Sequence, residues 1–201
     1  GGHISTGNLD CSGNIGVIGD FDCSGAVTCK TVSCTRIIAT NLASTGNSSV
    51  AGNINCLGDT SVAGNVDCSG NLYIHGTFDC SGDVAIKGNL DCSGKVSITE
   101  DAECSGNAYI GGNLDCSGNV ALSGNLDCSA NASIAGNAEC LGNAYIEGNL
   151  DCSGNVAVSG NLDCSGNASI SGNVGCSGNT YIEGNLDCSG NAVISGNVEC
   201  S

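Results

Sequence analysis

A cysteine recurs at every twelfth residue from Cys56 to Cys200. The twelve-residue unit divides into two hexads, such as residues 149–154 and 155–160, each reading Asn, apolar, variable, apolar or Cys, small, Gly. Apolar and variable positions alternate with a period of two, which is typical of a strand, and a Gly in every hexad argues against helix. Short strands at a fixed period stack as coils. The sequence therefore predicts an all-β fold, a β-solenoid (β-helix) of hexad strands.

The corners of this solenoid fall at the Gly-Asn junctions between hexads. Both residue types tolerate a positive φ, so the junction is typical of a turn. Asn side chains that stack from coil to coil form hydrogen-bonded ladders. We therefore expect Asn and Gly to have a structural role at every corner.

The number of hexads in a coil decides the shape of the rod. Two hexads would give a flattened coil of 12 residues and three a triangular coil of 18, and the 36-residue spacing of Tyr73, Tyr109, Tyr145 and Tyr181 permits both. An acidic residue precedes most of the regular cysteines. Coils of 12 would stack these charges ~4.8 Å apart, with a repulsion of about 0.9 kcal/mol per pair even in water. We favour 18, where the separation doubles; a row of bound Ca²⁺ would rescue the alternative of 12.

The repeat covers most of the chain. Residues 41–201 follow it almost without exception, and residues 8–25 carry the same pattern. The register breaks at about 26–40, because Cys23 and Ser44 are 21 residues apart, three short of two repeats. We interpret residues 1–201 as a single repeat domain. The break is either a shortened corner or bulge, or a junction at which another chain or domain docks.

Composition excludes several classes of partner. The chain of 201 residues has a net charge of −16 and only four basic residues. That charge repels nucleic acid and anionic membrane surfaces. No apolar run is long enough to cross a bilayer, so we expect no membrane insertion.

The regular cysteines occupy an inward position of the hexad. They would form either an inert, space-filling core row or a set of disulfides in an oxidising compartment. The absence of a CxxC motif and of a histidine partner argues against a metal site. These candidate core or disulfide residues are Cys56, Cys68, Cys80, Cys92, Cys104, Cys116, Cys128, Cys140, Cys152, Cys164, Cys176, Cys188 and Cys200.

The remaining candidates are outward residues. Tyr73, Tyr109, Tyr145 and Tyr181 would share one face, either as a stripe for lateral contact or as isolated surface packing. A triangular hexad coil is also the scaffold of many acyltransferases, which generally need a catalytic His. His3 and His75 are the only histidines, and we expect both to be solvated. We predict no catalytic residue and no cofactor.

Residues 154–160, Gly-Asn-Val-Ala-Val-Ser-Gly, and residues 166–172, Gly-Asn-Ala-Ser-Ile-Ser-Gly, resemble the repeat shafts of tail fibres and spikes in bacteriophages and large DNA viruses. The resemblance covers about 41–201 and implies a rigid, often trimeric, extracellular rod. Bactofilin-type scaffolds use similar Gly-Asn corners. The resemblance implies a partner that is either another structural chain or a copy of this one, in a trimer or an end-to-end assembly.

We therefore expect a structural role without enzymatic activity: a rigid fibre or spike shaft on a virion or other external surface. Two alternatives stay open. One is an ice-binding solenoid, although such proteins usually carry outward rows of Thr. The other is a self-polymerising, bactofilin-like scaffold. We also expect the C-terminal coil, whose inward positions hold Val198 and Cys200, to be covered in the native assembly.

Overall fold

The computed structural model describes residues 4–201, with side chains from residue 7 onward. His3 therefore lies outside the described residues. The described chain forms 32 strands, most of them three residues long, and every strand pairing is parallel. The strands stack as a three-sided solenoid of about eleven turns. The predicted all-β solenoid is confirmed.

Three faces run along the solenoid. Face 1 holds β1 (Ile4–Thr6), β8 (Ile54–Cys56), β11 (Leu72–Ile74), β14 (Leu90–Cys92), β17 (Ala108–Ile110), β20 (Leu126–Cys128), β23 (Ala144–Ile146), β26 (Leu162–Cys164), β29 (Thr180–Ile182) and β32 (Val198–Cys200). Face 2 holds β2 (Leu9–Asp10), β9 (Thr60–Val62), β12 (Phe78–Cys80), β15 (Val96–Ile98), β18 (Leu114–Cys116), β21 (Ala132–Ile134), β24 (Leu150–Cys152), β27 (Ala168–Ile170) and β30 (Leu186–Cys188).

Face 3 holds β3 (Asn14–Gly16), β5 (Thr31–Cys34), β7 (Ser48–Val50), β10 (Val66–Cys68), β13 (Val84–Ile86), β16 (Ala102–Cys104), β19 (Val120–Leu122), β22 (Ala138–Cys140), β25 (Val156–Val158), β28 (Val174–Cys176) and β31 (Ala192–Ile194). Two longer strands, β4 (Asp20–Cys29) and β6 (Arg36–Ser44), bend around the corner between faces 1 and 2. They join these two faces into one sheet.

The pairing register fixes the coil length. Leu72 pairs with Leu90, and Leu90 pairs with Ala108, so successive coils are about 18 residues apart. Leu150 pairs with Ala168, and Leu162, which the shorter coil would place above it, lies on another face. The preferred, longer triangular coil is confirmed, and the flattened alternative is wrong.

The register break at about 26–40 corresponds to shorter coils. Asp20 pairs with Arg36 and Ala26 with Asn41, both closer in sequence than the partners in regular coils, and a bulge lies between Cys23 and Ala26. Nη2 of Arg36 also lies 3.0 Å from Oδ2 of Asp20, an ion pair between adjacent coils. The strands therefore continue across the break, and three successive corners between Val27 and Leu42 are each one residue shorter than a regular corner.

The core is a narrow column filled from all three faces. Within each strand the first and third residues are mostly buried and the middle one faces out. Leu, Ile, Val, Ala and Cys fill this space, and Phe21 and Phe78 are its two fully buried aromatic side chains. A triangle with such short sides has no room for more, which explains the scarcity of aromatics. Among residues 4–201 there is no helix that could span a membrane.

Candidate interaction surfaces

Asparagine ladders hold the corners together. The backbone N–H of Asn107 donates to Oδ1 of Asn89 at 2.9 Å, and the N–H of Asn125 donates to Oδ1 of Asn107 at the same distance. The predicted ladder exists, but in its main bond a backbone N–H donates to a side-chain oxygen. Only an acceptor oxygen is needed, so Asp59 and Asp101 serve equally well, accepting from the N–H groups of the coil above.

Glycine is needed at the corners because coils approach closely there. A Cβ on Gly124 would lie 2.3 Å from Oδ1 of Asn107 and 2.5 Å from the Gly106 carbonyl oxygen, inside any real contact. Within residues 4–201, Gly19 is the only residue with a left-handed φ, at 131°. The expectation that corners rely on positive φ is therefore wrong. Gly is required because a side chain at this position would collide with the coil below.

The cysteines do not form a continuous row. On face 1 Ile74 pairs with Cys92, and Cys92 pairs with Ile110, so a thiol alternates with an aliphatic side chain along the column. The same alternation holds on faces 2 and 3, where Cys80 pairs with Ile98 and Cys68 with Ile86. Every cysteine of the chain is a free thiol in this structure. Neighbouring thiols in one column are separated by a whole intervening coil.

Most of the regular thiols act as donors at a corner. Sγ of Cys128 lies 3.3 Å from the carbonyl oxygen of Gly112 in the coil below and 3.5 Å from that of Asn131. Ser44 stands at a cysteine position of the repeat, and its hydroxyl donates to the carbonyls of Lys30 and Gly46. The corner thus selects a small side chain that has a donor and fills apolar space. Sequence reasoning recognised the burial and missed the donor role, which Ser44 signals.

Burial makes these thiols poor nucleophiles. Desolvation raises the pKa of the buried thiols, including Cys92, Cys128 and Cys164, and raises that of Cys34 to about 11. A thiol reacts as its thiolate, so a raised pKa lowers reactivity at neutral pH. The thiols are therefore suited to packing and to donating hydrogen bonds.

The middle residue of each strand forms an outward column, and the three columns differ. On face 2 Ser alternates with Asp, as in Ser97, Asp115 and Ser133. On face 3 Ala alternates with an acidic residue, as in Ala85 and Glu103. Along the coils that the structure describes, none of the three columns is a row of Thr of the kind expected for ice binding.

Face 1 carries a column in which tyrosine and carboxylate alternate, which we call the Tyr–acid stripe. Successive pairings place its members in the order Tyr73, Asp91, Tyr109, Asp127, Tyr145, Asp163, Tyr181 and Glu199. The four predicted tyrosines do share one face. Sequence reasoning missed that carboxylates stand between them, although the positions of Tyr73 and Asp91, one coil apart, indicate it once the coil length is known.

The Tyr–acid stripe is accessible, and shallow depressions lie along it. Tyr109 and Tyr145 are 41% and 39% exposed. Nδ2 of Asn71 donates to the Tyr73 hydroxyl at 2.8 Å, and Asn107 makes the equivalent bond of 3.2 Å to Tyr109. Shallow depressions of about 300 Å³ lie around Tyr109, between Asp91 and Asp127, and around Tyr181, between Asp163 and Glu199.

Potential metal ligands are not clustered in the part of the chain that the structure describes. His75 is exposed on the surface. Across residues 4–201 no group of three or more His, Cys, Asp or Glu side chains is arranged to hold a metal ion.

The C-terminal edge of the solenoid differs from its walls. Cys188 and Ile194 are only partly covered there, while Val198 is 53% exposed and Cys200 is exposed. The equivalent residues one or two coils earlier, such as Thr180 and Cys164, are buried. These residues occupy the inward positions of the last described coil.

A family model matches part of the chain. The model of the Bactofilin family, described as polymer-forming cytoskeletal, matches residues 59–146. These residues run from β9 to β23 and include the most regular coils. No curated protein and no solved structure matches the chain.

This match corrects the functional expectation. The main interpretation, a fibre or spike shaft on a virion, is wrong, because the matching family forms cytoskeletal polymers. The alternative of a bactofilin-like scaffold is the one that the match supports. That family is a structural, polymerising one, and self-association agrees with the expected partnership between copies of the chain.

Proposed function

We propose that this chain is a self-polymerising structural scaffold without catalytic activity, a rigid rod that assembles end to end with copies of itself. The similarity of residues 59–146 to the polymer-forming Bactofilin family carries the proposal. The regular register supports it, because each internal coil presents the next with the same hydrogen-bonding edge.

The geometry of a coil edge also favours polymerisation through coils. A coil of this kind offers three short strand edges and a ring of apolar side chains, including Leu186, Ile194 and Val198. In a polymer the first coil of another copy would cover this ring as an internal coil does. The side walls carry most of a net charge of −16, and mutual repulsion opposes their association. End-to-end contact is therefore favoured over lateral contact.

Sedimentation velocity of the purified chain tests the proposal, with two matched variants in β31. Ile194 points inward at the edge, and Val193, next to it, is 67% exposed on the wall. Ile194→Lys should shift the polymer to monomers, because apposition of a second coil would bury an unpaired ammonium group. Val193→Lys should leave the polymer unchanged, and circular dichroism checks that both variants fold.

A thiol reagent supplies a second readout. Cys200 is exposed at the edge, whereas Cys164, two coils earlier in the same column, is buried. Cys200 should react in the Ile194→Lys monomer and be protected in the wild-type polymer. A wild-type chain that stays monomeric at concentrations well above those of the cell, or equal effects of the two Lys variants, would overturn the proposal.

A further inference from the structure

We infer that the Tyr–acid stripe is a docking surface for a cationic peptide in the polyproline II conformation. The surface lies on the side wall and only its last member, Glu199, belongs to the final coil, so the inference does not depend on polymerisation. It rests on the order of side chains along the stripe, their exposure and charge, and the period at which they repeat.

The stripe has an excess of unpaired negative charge. Arg36 pairs with Asp20 and Lys95 pairs with Asp115, and these are the ion pairs found among the described residues. Neither involves a carboxylate of the stripe. Each carboxylate of the stripe stands beside a tyrosine in a chain of net charge −16. An occupant with regularly spaced cations would therefore gain both charge pairing and contact with aromatic faces.

Two of the four tyrosines are held in position for contact. Asn71 and Asn107, at the corner two residues before each ring, donate to the hydroxyls of Tyr73 and Tyr109. A tether at the hydroxyl limits the motion of the ring, so less conformational entropy is lost on binding. The depressions around Tyr109 and Tyr181 have the same flanking residues, an acid on either side, and lie four coils apart. The surface is therefore a repeated unit.

The period of the stripe selects the conformation of the occupant. Tyrosines recur every second coil, about 9.6 Å apart at the usual strand spacing. A polyproline II helix repeats every three residues, about 9.3 Å. In an extended strand, side chains on the same face repeat at roughly 6.8 Å. This spacing does not match that of the tyrosines, so only one such side chain could sit on a ring. A peptide with one proline and one cation in each turn of that helix would seat its prolines on the rings and its cations on the carboxylates between them.

Other occupants fit the stripe less well. A second copy of this chain carries the same charge and would be repelled. Nucleic acid would be repelled for the same reason. A neutral glycan could stack on tyrosine but would gain nothing from the carboxylate at every second coil. Proline-rich segments are recognised elsewhere by aromatic-lined grooves, and the stripe supplies that chemistry with acidic residues added.

The test is fluorescence anisotropy with a labelled peptide of five Pro-Pro-Arg repeats. The comparison peptide, five Gly-Gly-Arg repeats, has the same charge without the preformed helix. We expect the proline peptide to bind at least about tenfold more tightly, because its conformation is already ordered. Equal binding of the two peptides would mean simple charge attraction and would overturn the inference, as would binding of a cello-oligosaccharide in place of the peptide.

Matched variants locate the site. The double substitution Tyr109→Ala with Tyr145→Ala should weaken binding by about tenfold through loss of two ring contacts. The control, Ser97→Ala with Ser133→Ala, substitutes two outward residues at the corresponding strand position on face 2 and should leave the affinity for the peptide unchanged. Circular dichroism confirms folding, and unchanged affinity in the folded tyrosine variant would contradict the inference. Sedimentation of that variant separately reports whether polymerisation is intact.

Removal of charge from the stripe gives an independent readout. Asp127→Asn with Asp163→Asn keeps the size of both side chains and removes two of the carboxylates between the rings. This variant should bind the proline peptide more weakly, and its affinity should depend less on salt. A salt dependence equal to that of the wild-type chain would show that the peptide is attracted by charges elsewhere and would overturn the inference.

Discussion

At the scale of single residues, the repeat is explained by what each corner must satisfy. The cysteine thiol donates to a carbonyl of the coil below while its sulfur fills apolar space. The Asn side chain accepts from the coil above, and Gly leaves room for that oxygen. These three demands recur at each coil, which is why the same residue types recur in the sequence.

Substitution of Cys128 separates the donor role of cysteine from its packing role. Cys128 is fully buried, and its thiol lies near three carbonyl oxygens. Cys128→Ala removes both donor and volume and should lower the free energy of unfolding by about 2 kcal/mol. Cys128→Ser keeps a donor, as Ser44 does, and should cost about half as much. Urea unfolding measures both, and a Ser variant less stable than the Ala variant would contradict the donor role.

Substitution of Asn125 tests the ladder. Oδ1 of Asn125 accepts from the N–H of Asn143 at 2.8 Å. Asn125→Leu removes the acceptor at an exposed corner and should destabilise the chain by about 0.5–1 kcal/mol. Asn125→Asp keeps the oxygen, as Asp59 and Asp101 do, and should be nearly neutral. Thermal unfolding of the pair decides the point. If the Asp variant is as unstable as the Leu variant, the ladder does not depend on the acceptor oxygen.

At the scale of the strand and coil, the sequence predicts most of what the structure contains. The two-residue alternation defines the strands, and avoidance of stacked charge selects the longer coil. Asp91 and Asp127 are indeed separated by the coil that bears Tyr109. The bent strand β6 was not predictable in detail, because a corner without Gly can be accommodated in several ways, and β4, whose corner does contain Gly25, pairs with it along its whole length. The Tyr–acid stripe was missed because it depends on combining two periods, that of the tyrosines and that of the coil.

Packing within a coil can be improved where the repeat departs from its own consensus. Ala138 pairs with Val120 below and Val156 above, and a small apolar cavity of about 20 Å³ adjoins it. Ala138→Val should fill that space and raise the free energy of unfolding by about 0.5–1 kcal/mol. Ala157→Val, outward on the neighbouring coil, is the matched control and should have little effect. If Ala138→Val instead lowers the free energy of unfolding, the space beside Ala138 is too small for the added methyl groups and the prediction is wrong.

At the scale of the whole molecule, the buried thiols couple stability to pH. Burial raises the pKa of many thiols in the folded chain, to about 11 for Cys34. In the unfolded chain the same groups ionise at their ordinary, lower pKa. Their contribution to stability is therefore complete below the unfolded-state pKa and is lost as pH rises toward the folded-state values. Each thiol ionised only in the unfolded chain removes about 1.4 kcal/mol per pH unit.

Urea unfolding at pH 8 and pH 10 should show this loss. The wild-type midpoint should fall steeply, and Cys128→Ser with Cys164→Ser should reduce the slope of stability against pH, because two titrating groups are gone. The two chains differ only at these two positions, so a difference in slope belongs to the two thiols. An identical slope in the two chains would show that buried thiols do not control alkaline stability.

The central claim is that a triangular solenoid assembles end to end into a polymer, and cryo-electron microscopy of the purified chain tests it most directly. About eleven coils per chain, stacked at ~4.8 Å, give a rod of roughly 50 Å. The account predicts filaments with a layer spacing of ~4.8 Å and an axial subunit repeat of roughly 50 Å, or twice that if neighbours alternate in direction. Isolated rods of that length, or filaments built by side-by-side contact of the walls, would contradict it.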